Sequence, residues 1–147
     1  MRINKLIVDS DACCIVANAH EKGRAGRGKA SCGVVYLAET KELSSIVAEK
    51  GKYLGEMTVP EAEYHGLIFA LDYASEFCRG ELEVWLDSEL VVRHLNGIYK
   101  LKAKNLKLLF DQVRKLQHRY KSVVFFHHKR ENEVAQLADA IAKRYQS

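Results

Sequence analysis

The stretch LEVWLDSELVV, residues 82–92, decides the fold of this chain. Residues 82–86 read as a short buried strand that runs directly into Asp87-Ser88. A helix starting at Ser88 or Glu89 follows. One carboxylate therefore stands at the C-terminal end of a strand, where open α/β sheets bind their ligands. An Asp in front of a helix is equally well placed as an N-cap. What distinguishes the two is whether other acids reach the same spot.

Upstream, INKLIVDSD (residues 3–11) is a strand with a β-branched core that ends in acids. Residues 18–30, NAHEKGRAGRGKA, form a basic, glycine-bearing loop. A second strand, CGVVYLA (32–38), and a third (43–53) are joined by a turn short enough for a hairpin. Thr58-Val59-Pro60-Glu61 opens a helix: Thr58 caps it, Glu61 completes a capping box, and Pro60 is tolerated in the first turn. Tyr64, Leu67, Ile68, Leu71, Ala74 and Cys78 make its apolar stripe. Arg79-Gly80 closes it.

Downstream, Asn96-Gly97 ends the helix that follows Asp87. A lysine cluster, KLKAKNLK (100–107), leads into a long amphipathic helix with Leu106, Leu109, Phe110, Val113, Leu116 and Tyr120 on one face. SVVFFH (122–127) is the last strand, and residues 134–145 form a last helix with Leu137, Ala138, Ile141 and Ala142 facing inward. A hairpin-bearing start followed by β-α alternation predicts an α/β fold, a mixed sheet with helices on both faces.

The 147 residues suit one domain, 1–147, with an ordinary 48% apolar and 29% charged content. A net charge of +4 is compatible with a polyanionic partner. No apolar run is long enough for a bilayer, and Asp9 and Asp11 interrupt any signal-peptide pattern. The four cysteines, at 13, 14, 32 and 78, lack CxxC spacing and read as reduced thiols of a cytoplasmic protein.

Three acids stand out by position. Asp11 ends the first strand, Asp87 ends the strand at 82–86, and Glu63 flanks the stripe of the first helix. If the two strands are parallel neighbours, Asp11 and Asp87 lie side by side and Glu63 looks down on them. Asp9 is placed on the opposite face of its strand from Asp11, structural or peripheral. Clustered carboxylates repel unless cations neutralise them. Oxygen ligands suit Mg²⁺ or Mn²⁺. Two such ions about 4 Å apart activate a water and stabilise a leaving oxygen. Each acid alone has an ordinary account: a cap for Asp87, a first-turn acid for Glu63. The lysine run alone is a solvated face.

Four motifs in order give the chain a resemblance to type 1 ribonuclease H. Ser10-Asp11-Ala12-Cys13-Cys14 is similar to the family's strand-end D-G-[AS] motif. The segment TVPEAEY (58–64) resembles T-N-x-x-x-E-[LY]. LDSELVV (86–92) with Leu95-Asn96-Gly97 resembles D-S-x-x-[VL]-V…G. Arg130-Glu131-Asn132 and ADAIA (138–142) resemble R-E…N…A-D-x-L-A. The match spans nearly the whole chain. It implies a ribonuclease H-like, five-stranded mixed sheet, with Asp11, Glu63 and Asp87 as metal-binding catalytic carboxylates. A fourth Asp is expected at the start of the last helix. Counted from Asn132, Gln136 stands there; counted by the A-D-x-[LI]-A string, it is Asp139, which a small insertion before the helix would favour.

The resemblance further implies nucleic-acid contacts at Cys13, Thr58, Arg27 and Lys29, and auxiliary roles for His127 or His128 in product release or proton transfer. Ala12 replaces the family's Gly, Val59-Pro60 replace its Asn-bearing contacts, and the loop at 18–30 lacks its N-P-G turn. The basic protrusion of some relatives is missing, so Lys100, Lys102 and Lys104 are expected to take part of its phosphate-binding role. The function implied is a two-metal endonuclease that uses Mg²⁺ or Mn²⁺ to cut the RNA strand of RNA–DNA hybrids, acting as a monomer. The alternatives are a catalytically weak or inactive nucleic-acid-binding module on the same fold, or another nuclease of the superfamily.

Overall fold

The computed structural model describes residues 3–16, 26–128 and 132–146. In chain order these form β1 (Lys5–Val16), β2 (Arg27–Ala38), a 3-10 turn (Leu43–Ser45), β3 (Ile46–Thr58), α1 (Val59–Ala74), β4 (Glu81–Leu86), α2 (Glu89–Leu95), α3 (Lys104–Gln117), β5 (Ser122–His127) and α4 (Glu133–Arg144). The strands make one sheet in the order β3-β2-β1-β4-β5. β1, β2 and β3 are antiparallel, whereas β1, β4 and β5 are parallel. The five-stranded mixed sheet expected from the sequence is present.

Along β1, Leu6 and Val8 join Val34 and Tyr36 of β2 under α1 and α3, packed against Tyr64, Leu67, Leu71, Leu109 and Val113. Ile7 joins Val35 and Leu37 under α4, against Val134, Ala138 and Ile141. Both faces of the central strands are therefore covered. That explains their nearly continuous apolar runs, where a half-exposed sheet would alternate. Each fully buried leucine in these layers contributes about 1.5–3 kcal/mol.

The helix starts follow local chemistry. Thr58 accepts from the Glu61 amide at 3.3 Å, and the Glu61 carboxylate accepts from the Thr58 amide at 3.0 Å, closing the expected capping box. Ser88 caps α2 by accepting from the Val91 amide at 3.3 Å. Asp87 is therefore not the cap. Asn132 caps α4 by accepting from the Ala135 amide at 2.9 Å.

Two helices end earlier than expected, α1 at Ala74 rather than after Cys78 and α3 at Gln117, short of Tyr120, and three strand boundaries also differ. β1 does not end at Asp11 but continues to Val16. β2 begins at Arg27, so residues 27–30 belong to a strand rather than to the basic loop. β3 begins at Ile46, after the 3-10 turn, and runs on to Thr58. For β1 and β2 the cause is the same. The β1–β2 ladder runs from Leu6↔Ala38 to Val16↔Gly28, and a paired backbone overrides a glycine-rich, basic composition. Residues 18–25 of the expected loop, Arg24 among them, lie outside the described residues, as do Arg130 and Glu131.

Gly33 of β2 permits a close approach: a Cβ there would stand 2.2 Å from the Ala138 carbonyl oxygen and 2.5 Å from the Ala142 nitrogen. The α4 backbone thus lies directly on the sheet. Among the described residues, no helix is long and apolar enough to cross a membrane.

Candidate active site

The parallel ladder between β1 and β4 ends at Ser10↔Leu86. The next residues on the two strands are Asp11 and Asp87. Beyond this rung β4 stops while β1 continues, paired with β2 alone. The two acids thus meet at the opening expected for a ligand site at the carboxyl ends of parallel strands.

Asp9 corrects the sequence-based expectation. Residues two apart on a strand share a face, and Asp9 lies on the Asp11 side. A cavity of about 180 Å³ is lined by both, together with Ser10, Asp87, His128, Ala135, Gln136 and Asp139. Asp9 is only 1% exposed, and its Oδ2 lies 2.8 Å from His128 Nε2. The parity of positions 9 and 11 was the signal that could have revealed it.

The two candidates for the fourth acid, Gln136 and Asp139, line the same cavity. They are nearly one helical turn apart on α4, and so share a face. Asp139 stands near enough for its charge to act on the Asp11 carboxyl. It also pairs with Lys143 at 2.8 Å.

Burial pushes the Asp11 carboxyl up to about 8, helped by the neighbouring Asp139 side chain and by the charge of Asp87; the Ala12 backbone opposes the shift. Glu63, reaching in from α1, is pushed up to about 8 by burial and then by the charges of Asp11 and Asp87. It does not line the 180 Å³ cavity, yet it feels both aspartates. Without a counter-charge, these carboxyls hold protons that aqueous carboxylates would have lost.

The donors are all oxygens, which suits hard divalent cations. Protons held by Asp11 and Glu63 stand where such a cation would supply positive charge. The residues therefore fit the implied metal chemistry. Among the described residues, no three Asp, Glu, His or Cys side chains are grouped around one ion position.

The other expected site residues are more dispersed. Cys13 follows Asp11 on the same strand face; burial, Asp139 and Asp11 all push its thiol up. Its carbonyl accepts from Gln146 at 3.0 Å. The Thr58 hydroxyl is engaged in its cap, 2.9 Å from a Glu61 carboxylate oxygen. Arg27 donates to the Glu56 carbonyl at 3.1 Å and lies 3.5 Å from Glu61. Lys29, Lys100, Lys102 and Lys104 are exposed. His127 Nε2 lies 3.1 Å from the Asp87 carbonyl oxygen, at the rim, whereas His128 is buried beside Asp9. A larger groove of about 640 Å³, between β3 and α1, is lined by none of the four acids.

The profile of the family described as Reverse transcriptase-like matches residues 20–145. The chain belongs to the reverse transcriptase-like family. Its fold is that of ribonuclease H.

Among curated relatives, this reverse transcriptase-like chain is 33% identical over 109 residues to the bifunctional protein Rv2228c of Mycobacterium tuberculosis, covering 74% of this chain and 29% of that protein. It is 33% identical over 93 residues to the ribonuclease HI of Halobacterium salinarum, covering 63% and 45%. The chain thus spans less than half the length of these relatives. The N-terminal RNase H domain of Rv2228c superposes with a TM-score of 0.78 at 27% identity, over 97% of this chain and 99% of that one. LC11-RNase H1 in complex with an RNA/DNA hybrid superposes with a TM-score of 0.75 at 30% identity, over 96% of both chains.

Proposed function

We propose that this reverse transcriptase-like chain is a divalent-cation-dependent endonuclease that hydrolyses the RNA strand of RNA–DNA hybrids. The observation that carries this reading is the gathering of Asp11, Asp87 and Asp139 around one cavity at the end of the β1–β4 ladder, with Glu63 near enough for the charges of Asp11 and Asp87 to act on it. Such a cluster is costly without cations. It stands in a chain that shares its family fold with a protein named ribonuclease HI and with one solved on a hybrid.

Asp11, Glu63, Asp87 and Asp139 would hold two ions, Mg²⁺ or Mn²⁺. When bound, these supply an activated water and Lewis-acid stabilisation of the departing 3′ oxygen. The residues themselves orient the scissile phosphate against the carboxylates. Asp11 and Glu63 release their protons when the site is loaded, which makes loading pH-dependent. Arg27, Lys29, Lys100, Lys102 and Lys104 would grip backbone phosphates, and Thr58 and Cys13 would contact the duplex beside the site. Strand choice would rest on contacts to 2′-hydroxyls in the minor groove. The acting unit would be the single domain 1–147, working as a monomer in the cytoplasm.

The test is a substrate panel with each cation: hybrid, duplex RNA, duplex DNA and single strands. Cleavage confined to the RNA of the hybrid is expected. No cleavage with either cation, or full activity in Asp87→Asn, overturns the reading. The Lys143–Asp139 pair at 2.8 Å and the Val59-Pro60 substitution favour a second reading, a hybrid-binding module without turnover. It predicts salt-sensitive hybrid binding that survives Asp11→Asn and no cleavage by the native chain.

A further inference from the structure

Two buried polar residues of the cavity have no part in the carboxylate set. Asp9 is 1% exposed and His128 is 8% exposed. Asp9 Oδ2 lies 2.8 Å from His128 Nε2. The approach is off the N–H axis, so by strict hydrogen-bond geometry both atoms and Asp9 Oδ1 stay unsatisfied among the described residues. The short distance is the more telling of the two facts. A buried carboxylate is rarely left without a partner.

The far side of the imidazole is tied to α4. His128 Nδ1 is 3.3 Å from Asn132 Nδ2. The orientation of the Asn132 amide is set by its other end, because Oδ1 accepts the Ala135 amide proton at 2.9 Å as the α4 cap. Nδ2 must therefore face His128 and donate to it. Nδ1 is then the ring's acceptor, and Nε2 carries the proton offered to Asp9. The ring is also held in place by stacking on Trp85, with centroids 5.4 Å apart, and by its own amide, which donates to the Leu86 carbonyl at 3.1 Å.

We infer that Asp9, His128 and Asn132 form a polar latch that fixes the start of α4 against β1, and that Asp9 and His128 are positioning residues for Asp139. The latch runs from a residue two before Asp11 on β1 to the cap of the helix that carries Asp139. It thus sets the height at which Asp139 meets Asp11. Metal sites depend on such supporting contacts, and losing one typically lowers affinity about 10–100-fold. The part concerning the cation rests on the proposed function; the part concerning α4 does not.

Two measurements separate them. Amide hydrogen exchange is followed in the first turns of α4 with no cation present, in the native chain, His128→Ala and Asn132→Ser. Serine keeps the cap but lacks the amide that reaches His128. Exchange at least about tenfold faster in both variants, with the rest of the sheet unchanged, is expected. Unchanged exchange in both overturns the latch. Mn²⁺ titration calorimetry then compares the native chain, His128→Ala and His128→Gln. A loss of about 10–100-fold in His128→Ala is expected, with most of it restored in His128→Gln, whose amide can both donate to Asp9 and accept from Asn132. In hybrid cleavage, His128→Ala is expected to lower kcat and leave KM unchanged. Affinity unchanged in His128→Ala, or a loss that His128→Gln does not restore, overturns the positioning role. A native chain that takes no Mn²⁺ overturns the proposed function and the positioning role built on it, while the exchange result still decides the latch.

Discussion

Gly33 lies directly across the antiparallel ladder from Asp11, and its lack of a side chain is what lets α4 settle low enough for Asp139 to reach that carboxyl. A Cβ at Gly33 would stand 2.2 Å from the Ala138 carbonyl oxygen, immediately before Asp139 in the chain. The obstacle is backbone, so a flexible side chain cannot swing out of the way.

Gly33→Ala is therefore expected to destabilise by about 1–3 kcal/mol, as overpacking does, lowering the thermal midpoint by roughly 3–10 °C. Cleavage of hybrid should fall as well, measured well below the midpoint, because the displaced helix carries Asp139. A midpoint within about 1 °C of native, on the scale of roughly 2–4 °C per kcal/mol, would contradict the close approach.

The acids can be ranked by substitution. Asp87→Asn should lower kcat by about 1,000-fold or more, roughly 4 kcal/mol of transition-state stabilisation, with the fold intact by circular dichroism. Asp139→Asn should cost at least about tenfold, while Gln136→Ala should stay within about threefold. The reverse order at these two positions would move the fourth ligand to Gln136.

Stability of the cation-free protein should depend on pH. The carboxyls of Asp11 and Glu63 titrate at about 8 in the folded chain, against ordinary values of 3.8 and 4.5. Between those limits the folded state binds more protons than the unfolded state. Stability from these groups is thus fully present below about pH 4 and lost as pH rises through about 8. Thermal midpoints in chelator should fall from about pH 5 to about pH 8.5, and saturating Mg²⁺ or Mn²⁺ should flatten the slope. A midpoint that rises with pH in chelator contradicts the shifts.

Hybrid binding should weaken steeply with salt, since neutralising phosphates releases counterions. Replacing Lys100, Lys102 and Lys104 together by Gln should lower the slope of log affinity against log salt by about one for each phosphate that is no longer neutralised. Filter binding across a salt series reads this directly. An unchanged slope would return these lysines to a solvated face.

Local chemistry was legible from the chain alone. Thr58 and Glu61 close their capping box without help from distant residues, and Tyr64, Leu67 and Leu71 mark the buried side of α1 by spacing. Strand ends were less legible. The segment of residues 27–30 looks like loop because it is basic and contains glycine, yet it is strand because residues 14–16 and 55–58 offer it hydrogen-bonding partners. Asp9 faces the same cavity as Asp11, as their spacing of two along one strand requires, and not the opposite face. Its pairing with His128 could not be read at all, since the two residues come from separate parts of the sheet.

The sequence by itself determined the order of elements and the two-sided burial of the central strands, because periodicity and capping are local; the meeting of Asp11 and Asp87 depended on strands β1 and β4 being parallel neighbours. Only the tertiary structure brought Gln136 and Asp139 of α4 to the cavity that Asp11 lines. Helical spacing puts both on the same face of α4, nearly a turn apart. The choice between them depends on how far along β1 the helix sits. That height is set by contacts remote in sequence: the bare backbone at Gly33 below α4, and the Asp9–His128–Asn132 chain at its start.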